Sequence, residues 1–331
     1  MLTLRRSSSA GSSDDQRVAS ITVDLDELDH YFAIHALRPP WARGGGPGVY
    51  RTAVPRLGAW ADGERVPITW FAVGRDLDAP DAASILRQRL ALGDEVGSHS
   101  LDHFYDLVRR GRAELEHQVT AAQEAIHRAT GAYPVGFRAP GYTVSDDLFE
   151  VLGRAGLRYD SSVFPCPAYY AAKAAVLTMQ RVVGRRSAAR LDSPMVLAAP
   201  RRPYRIGQPY WRTGSGLIEM PIQVSGPLRL PFIGTSLTMA GKTLSRWLTR
   251  GVLGERFINL ELHGIDALDV HDGLEALASV QPDLRRVVAD KLQIYSDVIL
   301  LLRSAGYSFV TLREAADLAA RGCLEAPQHQ T

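Results

Sequence analysis

Short apolar runs ending in polar corners alternate with amphipathic stretches along most of this chain, and that alternation limits what it can fold into. Strands are predicted near residues 18–25, 66–73, 94–98, 135–139, 157–160, 216–223, 257–262 and 307–311. Helices are predicted near 50–61, 80–92, 111–129, 145–155, 240–250, 283–304 and 312–321. In the helix from Arg112, residues Leu115, Val119, Ala122 and Ile126 form one apolar stripe, with charges elsewhere. Ser145 before Asp146 and Asp147 marks a helix start, with a hydroxyl cap and acids at the positive end of the dipole. Thr311 and Glu314 have the spacing of a capping box. This order of elements predicts an α/β fold, a parallel sheet covered by helices and closed or nearly closed. The 331 residues suffice for one (β/α) barrel or two average domains, and 46% apolar residues suffice for a large core.

The chemistry-bearing residues fall at the predicted C-terminal ends of strands, the edge where α/β folds build sites. His99-Ser100-Leu101-Asp102-His103 follows the run Glu95-Val96-Gly97-Ser98. Two imidazoles four residues apart share one face if a helical turn starts there. That spacing suits a zinc-type ion, which takes neutral imidazole nitrogens and for which Asp is a common further ligand. Asp24-Leu25-Asp26 closes the run from Val18 to Val23. Strand residues i and i+2 point the same way, so both carboxylates enter one site, one free to bind metal and the other to act as a base. His30, His35 and His271 are rival ligands, read as bystanders. His117 and His127 lie on a predicted helix and read as structural or exposed.

Two further segments complete a pattern: Phe137-Arg138-Ala139-Pro140-Gly141-Tyr142, and Asn259-Leu260-Glu261-Leu262-His263. In order, Asp-x-Asp, His-Ser-x-x-His, Arg-x-Pro-Gly-Tyr and Leu-x-x-His resemble the metal-dependent polysaccharide deacetylases, the NodB-homology superfamily (carbohydrate esterase family 4). That family includes chitooligosaccharide and peptidoglycan N-deacetylases. The stretch from Arg158 to Pro165 resembles its fourth motif, and the likeness runs over roughly residues 18–312. The pattern is nearer to the family's intracellular or lipid-linked sugar deacylases, because one residue separates the two Asp where many members have them adjacent.

The resemblance implies a distorted (β/α)7 barrel and hydrolysis of the amide of an acetylated or formylated amino sugar. It implies Asp26, His99 and His103 as ligands of Zn2+, or of Co2+, Ni2+ or Fe2+, with Asp24 as general base. The spacing of the two Asp leaves an exchange of their roles open. Arg138 cannot lose its proton and can hold a carboxylate ionised, so a pair with Asp24 is expected. Pro140 and Gly141 shape a turn able to present the Tyr142 backbone N–H to a developing oxyanion, and the Tyr142 ring is a candidate wall of the sugar pocket. His263 is expected to donate a proton to the departing amine. Asp160 is expected to orient Arg138 or His263, unless it caps the following turn.

Cys166 and Cys323 are far apart and read as free thiols of a reducing compartment. The N-terminus has no apolar core of signal-peptide length, and no run approaches the roughly 18 consecutive apolar residues of a membrane span. The expectation is a cytoplasmic protein with a disordered tail over 1–16, a barrel over 17–322 and a C-terminal tail over 323–331. A Pro/Gly-rich loop over 39–48 is placed to cover one wall of the site. An insertion at about 163–215 holds Lys173, Arg181, Arg185, Arg186, Arg190, Arg201, Arg202, Arg205 and Arg212, with Asp192 its only acid. Positive charge concentrated in a chain of net charge +2 predicts an anionic partner, such as a phosphate- or lipid-linked substrate. Residues 226–234 and 244–250 alternate large apolar and basic side chains, a pattern suited to peripheral contact with an anionic membrane at its inner face. No nucleic-acid motif accompanies the local basic patch. The rival readings are a cyclic amide or imide hydrolase and a non-catalytic carbohydrate-binding module. The intact Asp-His-His set argues against the first, and the base, ligands, Arg138 and His263 together argue against the second.

Overall fold

The computed structural model describes residues 16–35, 37–41, 48–182 and 190–324. Nearly all of the two predicted tails, most of the 39–48 loop, and Arg185 and Arg186 lie outside the described residues. The strands are β1 (Arg17–Leu25), β2 (Ile68–Ala72), β3 (Glu95–Ser98), β4 (Gly136–Phe137), β5 (Tyr159–Asp160), β6 (Tyr204–Ile206), β7 (Thr213–Glu219), β8 (Val224–Ser225), β9 (Leu230–Pro231), β10 (Phe257–His263) and β11 (Tyr307–Phe309). The main sheet runs β10-β1-β2-β3-β4-β5-β7-β6, with β11 against the start of β1. It is parallel from β10 to β7, and only β6 runs antiparallel, on β7. The result is a distorted (β/α) barrel.

The chain positions its site through the two-residue period of β1. Its Ala19, Ile21, Val23 and Leu25 face outward into the main core, with Leu57, Ile294 and Val298 from the covering helices. The alternate residues Ser20, Thr22 and Asp24 are also buried, on the inner face. Register sets Ser20 beside Asn259, Thr22 beside Glu261 and Asp24 beside His263. Polar residues of two strands thus share the barrel interior. Strands β7 and β10 do not pair with each other. The Asn259 amide spans that seam, donating to Ser161 Oγ at 3.0 Å and Met220 O at 3.2 Å while its Oδ1 accepts from Thr22 at 3.0 Å.

The predicted caps form: the Ser145 side chain accepts from Leu148 N–H, and Thr311 and Glu314 close a capping box. Two helices near the site were not predicted. Leu28–Ile34 follows Asp26 directly, with Glu27 capping it. Pro167–Val182 lies inside the basic insertion, where an alanine-rich stretch with Pro at its start favours helix. The predicted helix near 240–250 begins earlier, at Gly234, and Gly241 breaks it with a φ of 73°.

Candidate active site

Residues 99–103 do not form a helical turn. After β3 the backbone passes through two left-handed residues, Ser100 (φ 65°) and His103 (φ 55°), and Ser100 Oγ accepts from His103 N–H at 3.1 Å. This bend brings the two imidazoles together, with Nε2 atoms 3.2 Å apart. Asp26 Oδ1 lies 3.2 Å from His99 Nε2 and 3.1 Å from His103 Nε2. Three ligands on one tetrahedral face about 2.0–2.2 Å from a zinc-type ion are separated by little more than this.

The donor chemistry fits such an ion. His99 Nδ1 meets the Arg138 carbonyl at 2.8 Å, so this nitrogen carries a proton and Nε2 is the one left to face an ion. Asp26 Oδ1 is buried without a hydrogen-bond donor of its own. Burial pushes the Asp26 carboxyl up, but the adjoining His103 and His99 outweigh it and hold it well below the usual carboxylate range. Burial keeps His103 neutral, as a ligand must be. His30 is a neighbour of this group: its ring packs 4.4 Å from that of His103, and burial lowers its pKa to about 3. His35 instead meets Gln281, at 3.4 Å.

Asp24 lies one step back from the ligands, its Oδ2 3.9 Å from His99 Nε2. Its Oδ1 accepts from Arg138 Nη1 at 2.8 Å. Arg138 is fully buried: it also donates to Ser161 O at 2.8 Å, Ser161 Oγ at 2.8 Å and Thr22 Oγ1 at 3.0 Å, and stacks over Phe71.

His263 stands on the opposite side. Its Nδ1 is 2.8 Å from Glu261 Oε1, and the Tyr142 hydroxyl reaches the same oxygen at 3.0 Å and His263 Nε2 at 3.3 Å. Burial disfavours the imidazolium, yet Glu261 prevails and raises the His263 pKa well above its ordinary value. Asp24, Glu261 and His263 are close enough to resemble a second metal group. In that group Asp24 already carries the Arg138 cation and Glu261 the Tyr142 hydroxyl.

Two expectations are corrected. Asp160 touches neither Arg138 nor His263. Its carboxylate accepts from Ser162 N–H at 2.8 Å and Ser162 Oγ at 2.9 Å and lies beside Glu219, its partner in the β5–β7 register. It braces the turn whose Ser161 holds Arg138. The Tyr142 N–H is engaged by Ala139 O at 3.0 Å, which closes the turn and removes that donor from an oxyanion role. Thr22, Ser161 and Glu261 were not singled out from the sequence. The i−2 spacing of Thr22 from Asp24 and of Glu261 from His263 would have found two of them.

These groups line a pocket of about 300 Å³ whose far wall is the helix Pro167–Val182. A larger cleft of about 580 Å³ is lined by His30, Trp41, Tyr50 and Phe104 among acidic and basic residues.

The profile of the polysaccharide deacetylase family matches residues 46–159. Over 94 residues the chain is 38% identical to the chitooligosaccharide deacetylase of Sinorhizobium fredii, covering 28% of this chain and 42% of that protein. Over these segments the chain is similar to polysaccharide deacetylases. It is also 28% identical over 110 residues to the peptidoglycan deacetylase of Helicobacter pylori, covering 33% of this chain and 36% of that protein. It therefore spans less than half the length of these relatives. A crystal structure of a "putative polysaccharide deacetylase from Mycobacterium smegmatis" superposes with a TM-score of 0.58 at 17% identity, covering 96% of this chain and 95% of that one, a likeness of fold.

Proposed function

We propose that this chain is a metal-dependent N-deacetylase that hydrolyses the amide of an N-acylated amino sugar. The observation that carries the reading is the Asp26–His99–His103 triangle with an arginine-held carboxylate on one side and a glutamate-held imidazole on the other. A divalent ion held by Asp26, His99 and His103, Zn2+ or one of Co2+, Ni2+ and Fe2+, would supply Lewis acidity to the amide carbonyl and the attacking water. Asp24, fixed through Oδ1, has Oδ2 free to take the proton of that water. This assignment makes Asp26 the ligand and Asp24 the base. His263, kept cationic by Glu261, delivers a proton to the departing amine. The Tyr142 hydroxyl fixes the Glu261–His263 pair, and its ring walls the sugar.

The names of the relatives support a sugar substrate. The finer reading is a phosphate- or lipid-linked glycan intermediate. Exposed Leu228, Leu244 and Trp247, close in sequence to Arg246 and Arg250, support apposition to an anionic membrane. No described helix is long and apolar enough to cross one.

The test is acetate and formate release by metal-loaded protein from free, nucleotide-linked, polyprenyl-phosphate-linked and oligomeric N-acyl sugars, with allantoin alongside. Release from a sugar, lost on chelation and restored by metal, is expected. Hydrolysis of allantoin alone would replace the reading with a cyclic amide hydrolase. Metal binding without any release would leave a binding module.

The His263–Glu261 pair makes the pH dependence specific. The imidazolium is the active form, so activity falls as pH rises through the raised His263 pKa. Glu261→Gln removes the charge that raises it and should move the alkaline limb of the rate profile down by roughly one unit or more. An unmoved limb, with an unmoved imidazole titration by NMR, would remove His263 from the acid role.

A further inference from the structure

The pocket holds polar groups that the hydrolysis does not use. On the helix Pro167–Val182, Tyr169, Ala172, Lys173, Val176, Leu177 and Gln180 line the cavity at the i, i+3, i+4 spacing of one helical face. Lys173 is the one charged residue on that stripe. Its Nζ donates to Gly141 O at 2.9 Å, leaving two of its three protons for other acceptors. No carboxylate lies within ion-pair distance of it among the described residues. Asp192 is the acid whose field reaches it. Burial lowers its pKa to about 8, so it remains largely cationic at neutral pH. Three arginines of the same insertion turn elsewhere: Arg201 and Arg202 pair with Glu255, and Arg205 meets Gly216 O. Across the cavity, the Tyr31 hydroxyl is buried without a partner, as is Gln180 Oε1 on the helix itself.

A cation partly withdrawn from water with no carboxylate in ion-pair contact is costly unless a ligand supplies an opposite charge. We propose that Lys173 is a specificity-determining residue that reads an oxyanion, phosphate or carboxylate, carried by the sugar in the catalytic pocket. The proposal rests on the amino-sugar reading of that pocket, and it picks one residue out of the basic insertion.

The experiment compares three substrates on the metal-loaded full chain: N-acetylglucosamine 1-phosphate, N-acetylmuramic acid and neutral methyl N-acetylglucosaminide. Wild type should favour one anionic substrate at least tenfold in kcat/KM, mainly through KM. The phosphate and carboxylate arms identify which anion is read. Lys173→Met should erase the preference by lowering kcat/KM on the anionic sugar at least tenfold more than on the neutral one, while Lys173→Arg retains it. Equal rates on all three by wild type would overturn the proposal. So would an equal loss of kcat on charged and neutral sugars in Lys173→Met, which would mark the residue as a clamp on the Gly141–Tyr142 turn. Binding of glucosamine 1-phosphate against methyl glucosaminide, read by calorimetry, separates the two readings. If no sugar is hydrolysed, the deacetylase reading fails. An anion preference that persists in that assay and vanishes in Lys173→Met still supports Lys173, whereas its absence sinks it. Lys173→Gln replaces the Met variant if circular dichroism shows the latter misfolded.

Discussion

Arg138→Met should lower unfolding free energy by about 3–5 kcal/mol, the usual consequence of removing one partner from a buried charge pair. Asp24 is 1% exposed, and among the described residues Arg138 is its one hydrogen-bonded cation. Without the guanidinium, Asp24 keeps a buried charge, and Ser161 and Thr22 lose the donors that knit β1 to the turn after β5. The methionine fills much of the space, so the loss is electrostatic more than a cavity. Denaturant unfolding of the single variants and of Asp24→Asn/Arg138→Met closes a double-mutant cycle. The double variant should recover at least about 1 kcal/mol, since neutral Asn no longer needs the cation. Strict additivity would mean that the pair is not what Arg138 contributes.

Asp24→Asn should reduce kcat/KM by roughly 10²–10⁴, the range a positioned general base supplies, while the chain still binds one metal ion. Asn keeps the shape and can still accept from Arg138 but cannot take the proton. Asp26→Asn should instead empty the site, because Asp26 Oδ1 is the atom facing both Nε2 atoms. Metal content by mass spectrometry beside steady-state rates separates the two. Loss of metal in Asp24→Asn with retention in Asp26→Asn would exchange their assigned roles.

The site-bearing ends of β1, β3, β4 and β10 were legible in the sequence because each joins an apolar run to a polar corner. Strand position then fixes direction, and Asp24, Asp26, His99, Arg138 and His263 converge as a result. What was not legible depends on cross-strand register or on local turns. Asp160 was expected at Arg138 or His263, yet a two-residue strand sets it against Glu219 and sends Ser161 to the guanidinium. The Tyr142 N–H is committed to Ala139 by a turn whose left-handed residues no spacing announces. The helix Pro167–Val182 was hidden by averaging: the insertion was weighed for its charge as a whole, which masked 16 residues of helix-forming sequence that wall the pocket.

The strand order has a consequence for how the protein is made. β1 carries Asp24 and Asp26, and its neighbour β10 begins at Phe257. In a chain emerging from a ribosome, Asp26, His99 and His103 are all available early, whereas His263 follows some 160 residues later. At about 5–20 residues per second that gap lasts about 8–30 s. Through it one edge of β1 lies open, a strand rich in Val and Ile with no ladder to join. An ion captured by the first hundred residues would give the nascent barrel a fixed point before its last strands arrive.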